Sequence, residues 1–132
     1  DDTYNANPAS VQAALQTAVA HRGDSRLVVV LGDMLELGTA SESAHREVGR
    51  QVASAGAGVF VAIGTQMRTA VEVARQHGVP EAHHAATFED AVAHLLKRLA
   101  AGDLVLIKGS RGMRMERIAD ALAARLSRTE EK

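Results

Sequence analysis

Three runs of this chain are apolar almost without interruption: Arg26-Leu27-Val28-Val29-Val30-Leu31, Val59-Phe60-Val61-Ala62-Ile63 and Leu104-Val105-Leu106-Ile107. A strand with one wet face alternates apolar and polar residues. A β-branched run without that alternation predicts a strand buried on both faces, as in a parallel sheet covered by helices. His83-His84-Ala85-Ala86 is a weaker fourth candidate. Between these runs apolar residues recur at helical spacing, and strands alternating with helices predict an α/β fold.

Local signals mark the helices. Asn7-Pro8 supplies an N-cap followed by proline at the first helical position, Val11, Leu15 and Val19 share a face, and Gly23 ends the helix. Thr39-Ala40-Ser41-Glu42 reads as a capping box that opens a second helix to about Ala55, in which Gly49 predicts close packing. Met67, Ala70, Val71 and Ala74 mark a third, ended by Gly78 and Pro80. Thr87-Phe88-Glu89-Asp90 opens a fourth reaching about Leu99. The last runs from about Met115 to Leu126, with Ile118, Leu122 and Leu126 inward, and the charged tail from Arg128 to Lys132 is expected to fray. Right-handed crossovers would then place helices on both faces of a mostly parallel sheet, giving a small Rossmann-like three-layer sandwich.

The 132 residues make a single domain, 1–132, because one core serves a chain on the order of 100–150 residues. Fifteen Lys and Arg against 16 Asp and Glu leave a net charge of −1, so no global positive field exists to hold a nucleic acid. Aromatic residues are 2% of the chain, too few to stack bases, and helix packing must rest on Ala and aliphatic residues. The absence of cysteine excludes disulfides, thiolate metal sites and a cysteine nucleophile, and it suits a reducing cytoplasm. No run approaches the roughly 20 apolar residues of a membrane span. The opening Asp1-Asp2-Thr3 has no signal-peptide character.

In an open parallel sheet, ligands bind beyond the carboxyl ends of the strands, so the loops that leave the strands are where chemistry is expected. Four such loops are polar and glycine-rich: Asp1 to Asn7, Gly32 to Gly38, Gly64-Thr65-Gln66, and Lys108 to Arg114. In the last, Lys108, Ser110 and Arg111 stand beside Gly109 and Gly112, whose missing side chains let backbone N–H groups approach a carboxylate or phosphate. A solvated basic turn is the plainer alternative. Asp33 and Glu36 could hold an ammonium or hydroxyl group, though Asp after a strand is also ordinary turn chemistry. Asp1 and Asp2 offer acceptors for ribose hydroxyls, while Asn5 and Asn7 could read a base edge or, for Asn7, cap the helix.

The six histidines have neither paired zinc spacing nor a His-Glu-x-x-His helix, so no metal site is expected. His45 is a candidate ligand contact near the strand-end edge. His21 and His77 fall at helix C-termini, where they offset the dipole, and His94 is expected at the surface. Met34, Met113 and Met115 flank the loops as packing residues. The phosphate-binding Gly-x-x-x-x-Gly-Lys-Ser/Thr loop, Gly-x-Gly-x-x-Gly and Gly-x-Ser-x-Gly are all absent, so no complete catalytic set is expected here.

Taken in order, Asp1-Asp2-Thr3-Tyr4-Asn5-Ala6-Asn7-Pro8, Leu31-Gly32-Asp33-Met34-Leu35-Glu36-Leu37-Gly38 and Lys108-Gly109-Ser110-Arg111-Gly112-Met113-Arg114-Met115-Glu116 resemble the C-terminal domain of the Mur ligase family. Within it, they resemble most the members that join D-alanyl-D-alanine to UDP-N-acetylmuramoyl-tripeptide. The similarity runs from Asp1 to about Leu126. It implies an ATP-dependent, ADP-forming ligase of bacterial peptidoglycan synthesis, hence of cell-wall biogenesis, cell shape and cell division, acting in the cytoplasm. ATP phosphorylates the tripeptide carboxylate, the dipeptide amine attacks the acyl phosphate, and inorganic phosphate leaves.

The family's N-terminal and central domains, the latter holding ATP and most of the Mg2+ coordination, are not in this sequence. They are the expected partners of a domain that closes over the site. By the resemblance, Asp2, with Asn5 and Asn7, would meet ATP. Lys108, Ser110 and Arg111 would face the dipeptide and the transferred phosphate, with Asp33 and Glu36 toward the dipeptide amine. A related ligase domain, from another Mur enzyme or a folylpolyglutamate type, is one alternative. A non-catalytic α/β module that binds a small anion is another.

Overall fold

The computed structural model describes residues 6–110 and 113–130. Four strands, β1 (Leu27–Gly32), β2 (Val59–Ile63), β3 (Glu81–Ala85) and β4 (Leu104–Lys108), alternate with helices α1 (Pro8–Arg22), α2 (Ser41–Ser54), α3 (Met67–Gln76), α4 (Phe88–Arg98) and α5 (Glu116–Glu130). All described strand pairs are parallel, in the order β3-β2-β1-β4. The expected sandwich is therefore present.

Residues alternate between faces along each strand, and the two central strands are dry on both. The run Leu104-Val105-Leu106-Ile107, expected to be buried on both faces, is half-buried throughout, because β4 lies at an edge of the sheet. Leu27, Val29, Leu31, Phe60 and Ala62 pack with α1, α2 and α3. Val28, Val30, Val59, Val61 and Ile63 pack with α4 and α5 on the other side. Every residue of β1 and β2 is buried, which is why their sequences lack alternation. The edge strand β3 tolerates its two histidines because both are half-buried with polar partners. It begins at Glu81, ahead of the expected His83, because Glu81 and Ala82 continue the register opposite Val59 and Phe60.

Asn7 caps α1 as expected: its Oδ1 accepts from Ser10 N (2.8 Å), and Asn7 N donates to Ser10 Oγ (3.0 Å). The buried face of α1 is Val11, Leu15 and Ala18, and Val19 is 40% exposed. Thr87 likewise caps α4 through Asp90 N. Thr39 makes no capping box. A 3-10 turn at Gly38–Ala40 leads into α2 with the backbone already helical, so Ala40, which has no side-chain acceptor, occupies the cap position. His94, expected at the surface, is half-buried and stacks on His83 with ring centroids 5.1 Å apart. The charged tail is helical as far as Glu130.

The chain runs β1, β2, β3 outward in one direction, then returns through α4 on the opposite face to place β4 on the other side of β1. The direction of winding therefore reverses between β1 and β4. Ligand crevices in such sheets form at the carboxyl ends of the strands beside that point.

Candidate functional site at the β1/β4 switch point

Gly32 ends β1, and Gly109 follows β4. A Cβ on Gly109 would lie 2.5 Å from Met115 Cγ and 3.4 Å from the Gly32 backbone, and one on Gly32 would lie 2.7 Å from Met115 Sδ. A Cβ at either glycine would therefore displace the Met115 side chain, which, at the entry to α5, packs over both strand ends. Met115 thus takes the side on which a Gly109 Cβ would stand, while Gly109 itself lines the neighbouring cleft.

Beside this junction lies a cleft of about 690 Å³ lined by Lys108, Ser110, Arg114, Glu116 and neighbouring apolar atoms. Two cations face one carboxylate there. Arg114 Nε is 4.0 Å from Glu116 Oε1, with both side chains about two-thirds exposed, so that pair offsets little of the positive charge. Ser110 is 1% exposed, and its Oγ accepts from Leu35 N at 2.8 Å, tying the β4 exit to the β1 exit. A hydroxyl that accepts still has its own hydrogen to donate. Among the described residues, two non-glycine residues have positive φ, Glu36 (64°) and Arg114 (52°), one in each of these exit segments. Backbone held in that region costs of order 1–3 kcal/mol per residue and concentrates at ligand sites.

The structure divides the expected site residues. Lys108 and Ser110 come together in the cleft, and Glu36 is exposed on the loop that Ser110 anchors. Asp33 is committed elsewhere: Oδ1 accepts from Met67 N (2.9 Å) and Oδ2 from Gln66 N (3.3 Å), so its carboxylate caps α3 from a neighbouring strand. Gly64 makes room for it, because a Cβ there would lie 2.3 Å from the Asp33 carboxyl carbon. The oxygen of the Asn7 side chain is engaged in its cap. Asp2, Asn5 and Arg111 lie outside the described residues.

His45, expected near ligand, is fully buried with both ring nitrogens on backbone groups. Arg114 was not among the expected site residues. Its signal in the sequence is a third cation in the Lys108 to Glu116 segment. Among the described residues no three His, Asp or Glu side chains form a metal site.

The fold and cleft define a doubly wound α/β domain with a cationic, hydroxyl-bearing pocket at its switch point. Residues 2–111 match the family model described as "Mur ligase, glutamate ligase domain", and the chain belongs to that family. It is 33% identical over 123 residues to the UDP-N-acetylmuramoyl-tripeptide–D-alanyl-D-alanine ligase of Bacillus subtilis, covering 92% of this chain and 27% of that protein. With the Escherichia coli ligase of the same name it shares 36% over 124 residues, covering 92% of this chain and 26% of the relative. The crystal structure of MurF from Acinetobacter baumannii matches with a TM-score of 0.77 at 33% identity, over 92% of this chain and 27% of that one. The chain thus spans about a quarter of the length of the relatives it matches.

Proposed function

We propose that this chain is the domain of an ATP-dependent ligase that positions D-alanyl-D-alanine for amide-bond formation with UDP-N-acetylmuramoyl-tripeptide in the bacterial cytoplasm. The observation that supports it most is the convergence of Lys108, Ser110 and Arg114 on one cleft at the β1/β4 switch point. In the reaction the tripeptide carboxylate takes the γ-phosphoryl group of ATP. The dipeptide amine attacks the acyl carbon, the C–N bond forms as the C–O bond to phosphate breaks, and the amine loses its proton.

Within this scheme Lys108 and Arg114 attract the dipeptide carboxylate or the phosphate oxygens, and Ser110 donates its O–H. Glu36 offers a carboxylate for the dipeptide ammonium. Arg111 belongs with the cations by its place in the motif, and Asp2 with Asn5 is the proposed contact to ATP. Asp33 supports the site by capping α3. Among the described residues no cluster of His, Asp or Glu side chains would hold magnesium.

An NMR titration of the labelled chain with D-alanyl-D-alanine, and separately with ATP and inorganic phosphate, tests this. The dipeptide is expected to shift Leu35, Glu36, Gly109, Ser110 and Arg114, and Lys108→Ala to weaken it about tenfold or more, as loss of one charge-assisted contact should. Shifts with phosphate alone would instead make the domain a small-anion module. Dipeptide shifts confined to another face would overturn the assignment of the cleft.

A further inference from the structure

Three consecutive residues leaving β1 are each anchored by a different element. Asp33 reaches the N-terminus of α3, Met34 N donates to His45 of α2, and Leu35 N donates to Ser110 after β4. Glu36 comes next, exposed and left-handed. Of these anchors His45 is the most completely buried. Its ring is 0% exposed, its Nδ1 lies 2.7 Å from Ser41 O and 3.3 Å from Ser41 Oγ, and its Nε2 lies 3.1 Å from Met34 N. The Ser41 carbonyl can only accept, so Nδ1 holds the hydrogen, and Nε2 keeps the lone pair that Met34 N–H requires.

An apolar side chain of the same size would fill this core position without desolvating two ring nitrogens, but it would leave Met34 N–H buried and unpaired. What the imidazole adds over Leu or Phe is thus control of one backbone amide, the one between the Asp33 cap and the Leu35–Ser110 link. We propose that His45 is a positioning residue: through Met34 it fixes the β1 exit loop in the register that lets Leu35 meet Ser110 and that presents Glu36 to ligand. The ligand part rests on the function proposed above. The loop part stands on the hydrogen bonds alone.

The substitutions separate donor from acceptor. His45→Gln places an amide oxygen at about the reach of Nε2, whereas His45→Asn keeps a donor near Nδ1 and withdraws the acceptor from Met34. Amide hydrogen exchange at Met34 and Leu35 is expected to quicken by about tenfold or more in His45→Asn, the scale set by an unpaired buried amide, and to recover in His45→Gln. D-alanyl-D-alanine binding is expected to weaken about tenfold in His45→Asn and to recover with it, as for other supporting residues around a site. A purely structural role would lower stability in both variants without this split.

A measurement on the unsubstituted chain covers the case in which a variant fails to fold. A long-range nitrogen–proton NMR spectrum of His45 should show the hydrogen on Nδ1 and a hydrogen-bonded, unprotonated Nε2. A hydrogen on Nε2, or unchanged Met34 and Leu35 exchange in His45→Asn, would overturn the proposal. Altered exchange in His45→Asn with unaltered dipeptide affinity would overturn the ligand part. Absence of dipeptide binding to the unsubstituted chain would overturn the proposed function instead, while amide exchange still reports on the loop.

Discussion

Gly49 shows how little room a single position can leave. A Cβ there would lie 2.6 Å from the carbonyl oxygen of Ala70 and 2.9 Å from Val73 Cβ, so α2 and α3 pack backbone to backbone. Gly49→Ala would gain about 1 kcal/mol of helix propensity. The obstructing atom is backbone and cannot swing aside, so overpacking of about 1–3 kcal/mol wins, and urea denaturation should show a net loss. Glu36 is the opposite case. Its φ of 64° strains a residue with a Cβ, by about 1–2 kcal/mol, while glycine there gives back about 0.5–1 kcal/mol in backbone entropy. Glu36→Gly is therefore expected to keep the thermal midpoint level or slightly raised while removing the carboxylate. A weaker dipeptide titration in that variant would then report the lost charge and not a damaged fold.

Among the elements, the ends of the strands opposite the site are held by charge. Arg26, just before β1, donates to both oxygens of Asp103, just before β4, at 3.1 and 2.8 Å, and Ala100 N adds a bond of 2.8 Å. The hydrogen bond from Arg26 is the main reason that the Asp103 carboxyl titrates below its usual range. A carboxylate depressed in the folded state contributes fully above its unfolded value, about pH 4, and that contribution is lost as pH falls through the folded value. Asp103→Asn should accordingly flatten the acid limb of stability against pH. His94 works in another window. Burial, then the positive charges of Arg98 and His83, hold it below the ordinary histidine value, so the unfolded chain takes up a proton more readily than the folded one. Stability from this group therefore falls as pH drops from about 6.5 toward the folded value. In His94→Gln, denaturation followed between pH 7 and 5 should lose that component.

At the scale of the molecule, the proposed function makes the cleft one wall of a composite site, and the sequence has no Gly-x-x-x-x-Gly-Lys-Ser/Thr loop to cradle a triphosphate. The chain by itself is expected to release no phosphate when given ATP, the tripeptide precursor and D-alanyl-D-alanine, and a phosphate-release assay checks this. The α/β class, the burial of β1 and β2, the caps at Asn7 and Thr87 and the tight contact at Gly49 were legible in the sequence, whereas the half-exposure of β4 was not. Such features depend on side-chain period and on residues within a turn of one another, which local chemistry dictates. The site was legible only in part. Lys108 and Ser110 were found by their place after a strand. The bonds of Asp33 to α3, the burial of His45, the Met115 side chain beside Gly109 and the place of Arg114 in the cleft were not. The bonds of Asp33 and His45 reach partners 34 and 11 positions away, and the Ser110 bond that joins the two exit segments spans 75, separations that no local pattern encodes. The sequence by itself determined which segments become strands and helices. Only the tertiary structure decided which strand ends meet, because strand order is set by the packing of whole elements and not by any one of them.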